Sequence, residues 1–125
     1  MFILFFSFTG CSFTPWQTSV EKDYTDSKWV FDGIITEYRE RDSYYVDEEN
    51  CELSEELKRA FFSEMKYQSF NRIDEHTFFF CKGSDGMDKV GLLYAPLYWT
   101  PDPKEHDYKT LDTEGFWHIY SYHML

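Results

Sequence analysis

Four histidines, at 76, 106, 118 and 123, and three cysteines, at 11, 51 and 81, are the residues with the most immediate chemical reach in this 125-residue chain. No two histidines stand at i, i+4 on a helical stretch and no cysteines lie at metal-ligand spacing, so a zinc centre is not expected. His118 and His123 are five apart, an odd interval that puts them on opposite sides of a strand. Asp85 and Asp88 flank Gly86, but the other oxygen ligands of a calcium loop are missing at their fixed offsets, and a charged hairpin tip is the reading. Nucleophilic catalysis needs a Ser or Cys with a base and an orienting acid, and no nucleophile elbow, phosphate-binding glycine loop or dinucleotide fingerprint occurs. Among 23 acids any chosen carboxylate pair is uninformative for glycosidic chemistry. No cofactor is expected, and an enzyme only as an alternative, built on His118 and surrounding carboxylates.

Binding chemistry is better represented. Aromatic residues make up 22% of the chain and concentrate after residue 93, at Tyr94, Tyr98, Trp99, Tyr108, Phe116, Trp117, Tyr120 and Tyr122. Tyr and Trp join a large apolar face to a polar tip, which suits recognition of proteins, peptides and sugars. Most of these rings are expected in the core of a protein short of Leu and Val. Trp99, in a proline-bounded loop, is the expected exception, and Trp99, Tyr98, His118 and Tyr120 are the candidate binding residues.

Residues 2–8 form an apolar run broken only by Ser7, too short to span a bilayer but suited to the hydrophobic part of an export signal. At Phe8-Thr9-Gly10-Cys11 the chain resembles the lipobox of bacterial lipoproteins: a large apolar residue, two small ones and the Cys that is acylated. The resemblance covers about a tenth of the chain and implies a lipid on Cys11 and a place in the bacterial cell envelope; the alternative is an N-terminal core strand of a cytoplasmic protein. With Cys11 taken as lipid carrier, Cys51 and Cys81 remain as an even pair that an oxidising compartment can close into a disulfide, the alternative being two buried free thiols.

These residues need elements to position them. The expected organisation is a signal-like segment over 1–10, a tether or loosely docked arm over 11–27 and one α+β domain over 28–125. Val30, Phe31, Ile34, Ile35 and Tyr38 form a helical stripe that Asp26 or Ser27 can cap. A second helix is expected from the Ser54 cap, with Glu55 and Glu56 at its positive start, ending near Ser69 or Asn71. Strands are expected over 77–82 and 90–95, joined by a turn at 83–86. Pro96, Pro101 and Pro103 predict an irregular loop to about residue 112. A last strand over 116–123 alternates Phe116, His118, Tyr120 and Tyr122 with Trp117, Ile119, Ser121 and His123. The architecture expected is two helices on a small antiparallel sheet of about three strands with an aromatic-rich core.

The formal charge of −11 argues against nucleic acid or an anionic lipid surface as the main partner and favours a basic partner or none, the alternative to a binding role being a plain solvated acidic face that confers solubility. The imbalance is local, since residues 21–52 hold 11 acids against 4 bases. The function expected is therefore a small acidic lipoprotein acting as a protein-interaction module of inhibitor or immunity type. The alternative is a ligand-binding lipoprotein that uses exposed aromatics for a sugar or peptide.

Overall fold

The computed structural model describes residues 15–42, 44–97 and 100–123. Cys11, Tyr98 and Trp99 lie outside these residues, as does the signal-like segment 1–10.

The chain forms helix α1 (Pro15–Tyr38), strand β1 (Tyr45–Asp47), the short helix α2 (Glu55–Lys58) running into a π-helical turn (Arg59–Glu64), and strands β2 (Ser69–Arg72), β3 (Phe78–Asp85), β4 (Asp88–Tyr94), β5 (Glu105–Thr110) and β6 (Trp117–His123). All strand pairs are antiparallel, and the sheet order is β1-β2-β3-β4-β6-β5. The α+β class, the antiparallel sheet and the aromatic core are as expected. The sheet has six strands instead of about three.

Residues 15–27 are helical and not a loose arm. Pro15 occupies the helix start, where its missing N–H costs nothing. Trp16, Val20 and Tyr24, spaced by four, lay a narrow stripe against the core cluster. Ser27, read from sequence as a helix cap, has φ −135° and ψ 34° and marks a kink between two helical stretches. Beyond it Val30, Phe31, Ile34, Ile35 and Tyr38 are buried as the stripe requires.

The second helix is shorter than expected. Its turn widens at Arg59–Glu64, where the Met65 N–H donates to the Ala60 carbonyl at 2.9 Å, five residues back. Widening brings three consecutive residues, Ala60, Phe61 and Phe62, into the core. Lys66 then adopts φ +65° and reverses the chain, and Ser69, expected at a helix end, begins β2.

The helices pack on one face of the sheet through Phe31, Phe61, Phe70, Phe80 and Trp117. The other face carries a second cluster of Phe79, Cys81, Leu93, Ala95 and Tyr120, with Tyr122 against it. Side chains of β2, β3, β6 and β5 line one cleft on this second face, so the sheet curls towards it. Curling needs room, and Gly91 supplies it. A Cβ on Gly91 would stand 1.9 Å from the Phe80 carbonyl oxygen, where β3 bulges by one residue opposite β4. The extra residue, Lys82, reaches the Asp23 carboxylate on α1 at 3.1 Å and the Met65 carbonyl at 2.6 Å, tying helix to sheet.

The border strand β1 is partly closed by a side chain. The Asn50 amide accepts from the Asp47 N–H at 2.8 Å and donates to the Tyr45 carbonyl at 3.1 Å, occupying two of the outward backbone groups of that strand.

Gly91→Ala should destabilise the protein by about 3 kcal/mol or more, the upper end for steric overpacking, because the obstacle is a backbone oxygen. Urea unfolding of the variant measures this, and an unchanged midpoint would remove the bulge from the account of the curl.

Candidate functional site on the inner face of the sheet

β5 is one of three strands, with β1 and β2, that sequence reasoning missed, and it brings Glu105, Asp107 and Thr110 to this face. Its side chains Glu105–Thr110 contain no apolar periodicity, and three prolines precede it, so the segment reads as loop. In the structure β5 pairs along β6, with Glu105 opposite Tyr122, Asp107 opposite Tyr120 and Thr110 opposite His118. A bulge between Asp107 and Lys109 changes the spacing so that Asp107 and Thr110 both reach His118.

His118 Nδ1 lies 3.0 Å from Asp107 Oδ2 and 3.3 Å from Thr110 Oγ1. A carboxylate only accepts, so Nδ1 carries the proton and donates to Asp107. That leaves Nε2 as the nitrogen for general-base work, and it is buried, His118 being 5% exposed. The Asp107–His118–Thr110 group is thus a buried polar clamp across the β5–β6 ladder, without the open access a catalytic base needs.

Next to it, Tyr120 is 2% exposed and its hydroxyl interacts with the Glu105 carboxylate. Burial first, then Glu105, pushes the Tyr120 phenol far above its ordinary value, so it stays a protonated donor. The Asp102 N–H donates to the same Glu105 carboxylate at 2.9 Å. Tyr122 packs edge-on against Phe79 at 5.2 Å between ring centroids. A cleft of about 170 Å³ opens here, lined by Asn71, Ile73, Phe79, Glu105 and Tyr122. Two larger concavities, of about 330 and 490 Å³, share Leu97 and are lined by Phe116 and Glu114 in one and by Asp74 and His76 in the other.

Of the residues singled out from sequence, the structure brings His118 and Tyr120 onto one face, two residues apart on β6. It does not gather the histidines: His76 is exposed beyond β2, the His106 ring lies tilted against Tyr108 at 4.0 Å between centroids, and His123 pairs with Asp88 at 2.8 Å. Among the described residues no group of three His, Cys, Asp or Glu is placed to hold a metal ion.

Cys51 and Cys81 are free thiols, against the expected bridge. Cys51 packs against the helix-side cluster, whereas Cys81 points into the cluster on the opposite face, so the sheet lies between them. Cys81 stands on β3, which the helices cover, but its side chain belongs to the face they leave. Burial raises both thiols above their ordinary range, which slows their reaction at neutral pH.

A second feature lies at the far end of α1. Residues 37–56 hold nine acids against two bases. Structure folds this stretch together: the Ser54 N–H donates to Glu37 at 3.0 Å, the Glu52 N–H donates to the Tyr38 hydroxyl at 2.9 Å, and Arg41 pairs with Glu52. Among the described residues no cation pairs with Glu40, Asp42, Glu48, Glu49, Glu55 or Glu56. Tyr44 and Tyr45 stand beside them, 64% and 53% exposed.

No protein-family model, no curated protein and no solved structure matches the chain. Among the described residues no helix is long and apolar enough to cross a membrane.

Two outcomes follow from this geometry. In unreduced, folded protein both Cys51 and Cys81 should take up an alkylating reagent, Cys51 first and Cys81 only as fast as the inner face opens; peptide mapping by mass spectrometry distinguishes them. A mass lower by the two hydrogens of a Cys51–Cys81 bridge would contradict the arrangement. Tyr67 and Tyr120 both have phenols raised above the ordinary value of 10.0, chiefly by burial. Unfolded phenols ionise near pH 10 while these do not, so stability should be unaffected by them below that pH and fall as pH rises above it. Denaturant midpoints measured from neutral pH to about pH 11 test the sign.

Proposed function

We propose that this chain is a small acidic interaction module, held at a bacterial cell envelope by a lipid on Cys11, that binds a more basic protein in the manner of an inhibitor or immunity protein. The observation that carries the reading is the unpaired acidic end with its two exposed tyrosines. Along α1 several acids are answered within the chain, as in Lys22–Asp26, Lys28–Asp32, Lys82–Asp23 and Lys109–Glu21. At the far end of α1 six acids have no such cation among the described residues, and unanswered charge beside exposed tyrosine is the composition of a recognition surface for a cationic partner.

The placement of α1 suits such an anchor. Its first residue, Pro15, is four positions after Cys11, and 24 helical residues cover roughly 36 Å at the usual rise. A lipid on Cys11 would therefore hold the start of α1 at the membrane and present the acidic end away from it. The burial of His118 weighs against the reading of an enzyme centred on that residue.

Two measurements test the proposal. Mass spectrometry of the membrane fraction should find an acylated Cys11 at the N-terminus; an intact chain still carrying Met1 in the cytosol would remove the anchor. For the partner, full-length protein should retain a basic protein from envelope extracts and release it as salt is raised. The E48Q/E49Q/E55Q/E56Q variant should lose it. A partner held equally well by that variant would move the recognition surface elsewhere.

A further inference from the structure

We infer that the cleft between Glu105 and Tyr122 receives one lysine or arginine side chain of the basic partner. The inference rests on the proposed interaction function and names a point of contact that the acidic end alone does not provide.

The cleft's size limits what it can take. At about 170 Å³ it falls well short of the roughly 300–1,000 Å³ typical of small-molecule sites, but it has room for one long side chain. Its lining is divided in the way such a side chain is divided. Ile73 and Phe79 are apolar and can run along an aliphatic stem; Glu105, Asn71 and Tyr122 offer oxygens and an aromatic ring to a charged head.

Glu105 is the element that selects for positive charge. Its carboxylate is half-buried, accepts the Asp102 N–H and lies near the buried Tyr120 phenol. Both groups are neutral, so the backbone donor orients the carboxylate and its charge stays in place. Among the described residues no cation forms an ion pair with it. A carboxylate fixed in advance loses little freedom when a cation arrives, which favours a charge-assisted hydrogen bond. A neutral or anionic occupant would leave the charge unanswered, and a bare divalent ion would find one carboxylate where it needs several oxygens.

The cleft also neighbours the acidic end in the sheet. Tyr45, one of the two exposed tyrosines there, lies directly across the ladder from Asn71, which lines the cleft. A partner seated on Tyr44, Tyr45 and the acidic turn therefore has the cleft within reach of a neighbouring side chain.

The experiment is an NMR titration of the isotopically labelled full chain with two short alanine-based peptides, one with a single central lysine and one with glutamine in its place. The lysine peptide should shift the amides of Asn71, Phe79, Glu105 and Tyr122, and the glutamine peptide should not. Glu105→Gln keeps an acceptor for the Asp102 N–H and should weaken the lysine peptide at least about tenfold, as expected for loss of a charge-assisted bond. Tyr122→Leu should weaken it roughly threefold to thirtyfold. Glu48→Gln, at the acidic turn, should leave these shifts unchanged, and unperturbed amides elsewhere in each variant show that the fold is intact. Shifts confined to residues 47–56, equal affinity in Glu105→Gln, or no shift at the solubility limit of the peptide would each overturn the inference. If the envelope partner is still lost on neutralising the acidic turn while the cleft fails these tests, the interaction reading stands without the cleft; free lysine binding as well as the peptide would mean a small amine site and overturn the partner assignment.

Discussion

The structure turns on one ring. Phe31 of α1 meets Phe61 of the π-helical turn, Tyr67 before β2, Phe80 of β3 and Trp117 of β6, with centroids 4.9 to 6.4 Å apart and planes crossed at 60° to 88°. Crossed rings place the positive edge of one against the negative face of another, and each pair adds about 0.5–1.5 kcal/mol beyond the apolar area it hides. Four elements far apart in sequence thus share one contact point. Phe31 stands just past the kink at Ser27, so the bend in α1 and the seating of this ring are one adjustment. The widened turn at Arg59–Glu64 serves the same contact, since it brings Phe61 and Phe62 inward together.

The two faces of the sheet solve burial differently. The helix side is covered by α1 and α2 and locked by Lys82, whose ammonium also lies 4.5 Å from the Tyr67 ring centre. The other side is narrowed by the curl around Gly91, and polar pairs are built into it from β5. A carboxylate such as Asp107 can be tolerated there because His118 and Thr110 answer it. Glu105 differs in position, since its carboxylate lines the cleft while Asp107 is held against the His118–Thr110 pair.

Legibility followed period and apolar content. The stripe from Val30 to Tyr38 and the alternation of Trp117 and Ile119 with Tyr120 and Tyr122 were readable because one face of each is apolar. The hairpin was readable too, with its turn at 86–87 instead of 83–86, since pairing extends to Asp85 and Asp88. β1 is three residues long and half exposed, too short to show a period. β5 carries almost no apolar residue, because its partner strand supplies the burial. The start of α1 hides its stripe among polar residues, one apolar position per turn. His118 and Tyr120 stood out by type, whereas Glu105 and Asp107 were two acids among 23 and acquire meaning only through register.

The Asn50 amide has a consequence for how the molecule ages. It presents oxygen to the Asp47 N–H and nitrogen to the Tyr45 carbonyl, a complementarity that depends on the amide being intact. Hydrolysis to a carboxylate removes the donor and sets two oxygens opposite a carbonyl, so the border strand would regain an unsatisfied acceptor and a pairing edge. Two of the outward backbone groups at that border are thus kept satisfied by one chemically perishable amide.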